Sequence, residues 1–320
     1  MDRRECLGLL AAVASLPLGL SACAREPALN VGLHPWPGYE TLFLARAFGW
    51  LPAGVALRPG TSAGDSLAAL RRGELDGAAL TLDEVLKARA EGLPLSVVLV
   101  FNDSLGADMV LARPEIDSLG ALAGARIAVE HGTGGSLVLH QLLKAAGLAP
   151  EAVTQVNLAP PRQLAAWQRG EIDAAVSYAP QAHHLLREGA RRLYDSRDFP
   201  EMIIDVLAMR RDRLRWRTAV VQALVVAHFR GLAHLRRSRE DAMRRIAAWR
   251  ELSLAEVQAS YAGMELPGLT GNRHFFGADG RLLAAAAKLN ALMVASGLLA
   301  AADDLSELVT DRYLPRRGGA

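Results

Sequence analysis

The chain has 320 residues, 51% of them hydrophobic and 22% charged, and 36 basic against 34 acidic side chains give a formal charge of +2. That length suits two lobes rather than one small domain. The composition excludes a disordered chain, and the balanced charge offers no clustered basic face for nucleic acid. The arginines between residues 230 and 245 are interrupted by Leu232, Leu235, Glu240 and Asp241, the pattern of a solvated amphipathic helix face.

In chain order, Arg3 and Arg4 precede an apolar stretch over 7–20 and then Ser21, Ala22 and Cys23. This reads as an export signal over 1–22, its apolar part too short to remain as a membrane span. The run Leu20-Ser21-Ala22-Cys23 resembles the lipobox of bacterial lipoproteins, which implies lipidation of Cys23 and tethering of the mature chain outside the cytoplasm. Cys6 and Cys23 are the only cysteines. The body therefore has no disulfide, thiolate cluster or cysteine nucleophile. Residues 23–28 form a linker.

Beyond it, strands alternate with helices. Strands are expected at 30–33, 55–58, 77–80 and 95–101, with helices from 40 to 48 and from after Ser62 to Arg72. Further along come strands at 125–129 and 154–158, a glycine-rich turn at 132–135, and helices at 137–146 and 164–169. Such alternation predicts α/β lobes, each a mainly parallel sheet flanked by helices. Expected boundaries are 29–110 for the first segment of lobe 1, 111–206 for lobe 2 and 207–320 for the return to lobe 1 with C-terminal helices.

Residues 67–92 and 164–189 align at one constant offset with ten of twenty-six positions identical. Arg72-Gly73-Glu74-x-Asp76 matches Arg169-Gly170-Glu171-x-Asp173. Ordered charges and glycines of this kind indicate two lobes on one plan. After Asp212 only helices are expected, as a tail completing the first lobe.

Ligands in open α/β sheets sit outside the carboxyl ends of strands, where helix N-termini present free N–H groups. Trp36, Tyr39 and Glu40 lie in one such loop; the aromatics could wall a ligand or simply form a rim contact between lobes. Ser62 lies in the next, and Thr81 with Asp83 in the third. Asp83 stands where a helix begins and could cap it. Asp108 lies near the first crossing between lobes. In the second lobe Thr133, Gly134 and Ser136 open a helix, with an ordinary N-cap as the alternative, and Tyr178 ends a strand beside Pro180. Asp205 adds a further acid to these loops. The acids at strand ends point to a ligand with a cationic or amine part, or to a carboxylate pair for hydrolysis. His183 and His184 are adjacent on a helix and face different sides, and no zinc-type spacing occurs, so neither metal nor cofactor is expected.

Val156-Asn157-Leu158-x-Pro160-Pro161, Ala165 through Asp173, Ala179-Pro180 and Gly124-x-Arg126-Ile127-Ala128-Val129 resemble the taurine-binding periplasmic proteins. The wider likeness is to the aliphatic-sulfonate, nitrate and bicarbonate components of ABC importers, and to thiamine-pyrimidine synthases, whose cysteine-rich motif the body lacks. The resemblance implies a two-lobe, type II-like periplasmic-binding-protein fold and no enzymatic activity. It implies a monomeric receptor that takes a small solute to an ABC permease, with a docked membrane sensor as the other role. It implies solute contacts from Ser62, Thr81, the turn from Thr133 to Ser136, Tyr178 and Asp205, with Asp205 meeting an amino end and the hydroxyls a sulfonate end. The loop from Trp36 to Glu40, the Asp83-Glu84 pair and the glycine-rich turn depart from the taurine pattern and favour a more positive ligand.

Overall fold

A computed structural model describes residues 28–214, 217–277 and 280–316. The expected export signal (1–22) and the lipidation site Cys23 lie outside the described residues. The chain opens with β1 (Leu29–Leu33), a single turn at Pro37–Tyr39 running into α1 (Glu40–Ala47), β2 (Val55–Pro59), α2 (Ala63–Arg71), β3 (Gly77–Thr81), α3 (Leu82–Ala90) and β4 (Leu95–Ser104). It then crosses to β5 (Asp108–Ala112), β6 (Arg126–Val129), α4 (Gly134–Ala146), β7 (Thr154–Asn157), α5 (Pro160–Gln168), β8 (Ala174–Tyr178), α6 (Gln181–Arg187) and β9 (Arg191–Asp195). It returns through β10 (Ile204–Arg210), the short α7 (Arg211–Leu214), α8 (Thr218–Arg237), α9 (Arg239–Arg250) and α10 (Leu254–Ser260). β11 (Met264–Glu265), α11 (Leu269–Phe276) and α12 (Arg281–Ala295) follow.

Two sheets result, ordered β11-β4-β10-β3-β1-β2 and β7-β6-β8-β5-β9. β1 pairs in parallel with β2 and β3, and β6 does the same with β7 and β8. Each sheet also receives one crossing strand antiparallel to its neighbours. β10 lies between β3 and β4, and β5 lies between β8 and β9. Helices cover the faces, so β4 is buried along its whole length and reads as an apolar run rather than an alternation.

The repeated motif does the same work in both lobes. Asp76 Oδ2 accepts the Asn30 amide at 2.8 Å, and Asp173 Oδ2 accepts the Arg126 amide at 2.9 Å. Each aspartate thus ties the start of its lobe's third parallel strand to the first. The Arg72–Glu74 and Arg169–Glu171 pairs are solvent-exposed and add little stability.

The lobe boundaries fall earlier than 110/111 and 206/207. Asp108 to Val110 already belong to the second sheet, and Ile204 to Val206 already to the first. The break is made by Gly106, whose φ of 118° lies where side chains are strained.

The tail does pack on the first lobe. α8 is long and apolar enough to cross a membrane by length and composition. Here Leu224, Val225, Leu232 and Leu235 are buried in the fold, and His228 Nδ1 meets Thr41 Oγ1 of α1 at 2.8 Å. α10 reaches the second lobe as well: His183 Nε2 and Ser260 Oγ lie 2.9 Å apart, and Arg187 pairs with Glu256 at 2.8 Å.

Candidate functional site

The carboxyl ends of both sheets face one another across a small cavity of about 30 Å³. His34, Trp36, Thr81, Glu84 and Asp205 line it from the first lobe, with Ala63 at its edge. Asp108, Thr133, Gly134, Gly135 and Tyr178 line it from the second. The crossing strands place the two aspartates. Asp205 of β10 stands opposite Thr81 at the end of β3, and Asp108 of β5 stands opposite Tyr178 at the end of β8. They are topological equivalents, one in each lobe.

Asp205 is held firmly. The Tyr39 hydroxyl donates to Oδ1 at 2.5 Å and the Asn102 amide group to Oδ2 at 2.8 Å. Asn102 in turn accepts the Trp36 indole N–H at 2.9 Å. This chain of bonds requires glycine at 38, where a Cβ would stand 1.9 Å from Asn102 Oδ1. Burial, followed by the charge of Asp108, pushes the Asp205 carboxyl well above the usual range, against the opposing bonds from Tyr39 and Asn102.

Asp108 differs. It is half-buried as a residue, yet its Oδ2 is shielded from solvent and has no partner. Burial pushes its pKa up to about 7, the Ser104 hydroxyl offsets part of this, and the charge of Asp83 adds to it. Glu84 is the third acid. Its Oε2 accepts the Thr81 amide and its Oε1 accepts the Gly134 amide of the second lobe, both at 2.9 Å. Burial and the neighbouring charge of Asp83 push Glu84 up to about 8.

Aromatic rings fill the space beside these acids. Trp36 and Tyr178 meet edge to face across the cleft with centroids 5.4 Å apart, and His34 lies 6.0 Å from Tyr178. Burial, then the charge of Arg250, lowers His34 to about 4, so the imidazole is neutral near pH 7; its Nδ1 is buried without a partner. Among the described residues no lysine or arginine lines the cavity. Carboxylates with raised pKa, no basic partner and aromatic walls make a cavity that gains most from a guest with a positive charge. Among the described residues no three His, Cys, Asp or Glu side chains converge to hold a metal ion.

Of the residues singled out from sequence, Trp36, Thr81, Asp108, Thr133, Gly134, Tyr178 and Asp205 converge on this cavity. Tyr39 stands behind Asp205 as its support. Ser62 is one residue removed, its hydroxyl donating to Glu130 Oε1 at 2.6 Å. Three expectations are corrected. Glu40 faces the tail, where Trp249 Nε1 donates at 2.7 Å and Arg250 Nε at 2.5 Å, because helical spacing turns it away from the cleft. Asp83 does not cap its helix: Thr81 is the N-cap, and Asp83 sits inside the first turn beside the cavity rather than on it. Ser136 closes its own turn, accepting the Gly132 amide at 3.1 Å. Glu84, noted with Asp83 as an added acid, was not singled out as a contact, and neither were His34, Glu130 and Asn102. His34 and Glu84 flank strand ends and were within reach of the strand-end rule; Asn102 is identified only by the fold that brings it to Asp205.

The sequence model of the NMT1-like family matches residues 23–250. The taurine-binding periplasmic protein of Escherichia coli (strain K12) is 31% identical over 158 residues, 48% of this chain. The chain spans about half the length of this curated relative, 49%. The alkanesulfonate-binding protein SsuA from Xanthomonas axonopodis pv. citri, solved bound to MOPS, has a TM-score of 0.75 at 21% identity, covering 90% of this chain and 99% of that one. The desulfurization enzyme DSZB has a TM-score of 0.64 at 19% identity, covering 89% and 97%. These likenesses establish the two-lobe periplasmic-binding-protein fold, which a binding protein and an enzyme share.

Proposed function

The chain belongs to the NMT1-like family, and from that premise we propose that it is a solute receptor of an ABC-type importer whose guest carries a positive charge. The observation that carries this reading is the interlobe cavity walled by Asp205, Asp108 and Glu84 with no lysine or arginine among the described residues that line it. The relative that binds taurine and the fold neighbour that binds an alkanesulfonate support a small solute in this cleft. The acids shift the expected guest from a sulfonate toward an amine or other organic cation.

In this proposal Asp205, preorganised by Tyr39 and Asn102, takes the cationic group. Asp108 offers the unpartnered Oδ2 from the opposite lobe. Trp36 and Tyr178 supply ring contacts, worth about 0.5–2 kcal/mol each for a cation seated on a face. Thr81, Thr133 and Gly134 line the remaining wall. Lobe closure about the two crossings buries the guest and presents both rims to a membrane permease. We further propose that the protein is exported, anchored through lipidated Cys23, and acts as a monomer without catalysis or cofactor. A cysteine nucleophile is absent from residues 24–320.

The test is a thermal-shift panel of amines, aminosulfonates, sulfonates, nitrate and pyrimidines. Cationic compounds should raise the melting temperature, and simple sulfonates and nitrate should leave it unchanged. Stabilisation by anions alone would remove the proposal.

A further inference from the structure

Two helices aim their N-termini at the cleft, α2 from the first lobe and α4 from the second. A helix N-terminus is a ready seat for an anion, because its first amides lack partners within the helix and its dipole favours negative charge. Neither seat is open. Glu84, rooted in the first lobe, reaches across to accept the Gly134 amide at the start of α4 at 2.9 Å. Glu130, at the end of β6 in the second lobe, reaches back to the start of α2. There the Ser62 hydroxyl donates to its Oε1 at 2.6 Å, and the Gly64 amide lies beside the same carboxylate. The fit is close, since a Cβ on Gly64 would stand 2.4 Å from that oxygen. The two carboxylates therefore cross the cleft in opposite directions, each filling the other lobe's helix end. The polar atoms left buried and unpartnered around the cavity include Asp108 Oδ2, His34 Nδ1 and Thr81 Oγ1, a carboxylate oxygen, a neutral ring nitrogen and a hydroxyl. All three can accept hydrogen bonds from a cationic donor.

We propose that Glu84 and Glu130 are specificity-determining residues: carboxyl groups that fill the N-termini of α2 and α4 and exclude sulfonate, sulfate and phosphate groups from the closed cleft. An incoming anion must displace a carboxyl group already held by amide or hydroxyl donors. This rests on the cationic-guest reading above and assigns its selectivity to two residues that need not touch the guest.

The experiment titrates sodium ethanesulfonate, and separately sodium sulfate, into the purified protein and into a Glu84→Ala/Glu130→Ala variant, followed by calorimetry. The wild type should give no measurable binding, and the double variant should bind ethanesulfonate at least about tenfold more tightly. The variant's cooperative melting checks its fold. Should it unfold, Glu84→Gln/Glu130→Gln removes both carboxyl groups at constant size and should show a smaller gain in the same direction. Wild-type binding of ethanesulfonate as tight as that of the variants overturns the proposal. The two readings fail separately. Silence of the wild type toward every amine removes the guest, whereas ethanesulfonate binding by the wild type removes the role of Glu84 and Glu130.

Discussion

The two lobes share one strand plan but treat their equivalent aspartates differently. Asp205 of the first lobe is fixed by two donors, Tyr39 and Asn102, and backed by Trp36. Asp108 of the second stands at the matching place with one oxygen shielded and unpartnered. The shared topology therefore fixes where an acid points and leaves its state to the side chains packed behind it. In this account the first lobe is the preorganised half of the site, and the second completes it on closure.

That asymmetry predicts unequal mutational costs. Asp205→Ala should weaken binding of a cationic hit by at least about a hundredfold, since a buried charge-assisted contact is lost and its donors are stranded. Asp108→Ala should cost about tenfold. Calorimetric titration of both variants checks the order, and equal losses would erase the distinction between the lobes. A smaller change probes the support beneath Asp205. Gly38→Ala forces a Cβ against Asn102 Oδ1. It should destabilise the protein by about 1–3 kcal/mol, the range for overpacking, measured by chemical denaturation. An unchanged midpoint would show that Asn102 moves aside freely.

The same comparison marks what the sequence carries. The repeat between 67–92 and 164–189 exposed the two-lobe plan, because the motif ending in Asp76 and in Asp173 makes the same amide bond in each lobe. The positions of Tyr178 and Trp36 followed from strand ends, and that of Asp205 from the family resemblance. Three things were hidden. Glu40 lies in a strand-end loop like the others, and only its helical phase sends it to Arg250. Asn102 sits near the end of a fully buried strand, where nothing local separates a buried polar residue from a loop residue. The bonds of Glu84 and Glu130 across the cleft depend on lobe closure, which no local pattern encodes.

pH bears on the central claim, and its sign follows from the raised carboxylates. The Asp108 pKa rises from 3.8 to about 7 in the closed cavity, and that of Asp205 rises well above its usual value. The contribution of Asp108 to the stability of the closed form is full below the ordinary aspartate value and is lost as pH rises through about 7. A cationic guest favours the charged carboxylates, so binding expels protons, and affinity strengthens as pH rises through about 7. The decisive measurement is calorimetric titration near neutral pH of the best cationic hit, in two buffers of different ionisation enthalpy. The account predicts one guest per chain with net proton release; proton uptake, or a guest that binds only as an anion, would contradict it.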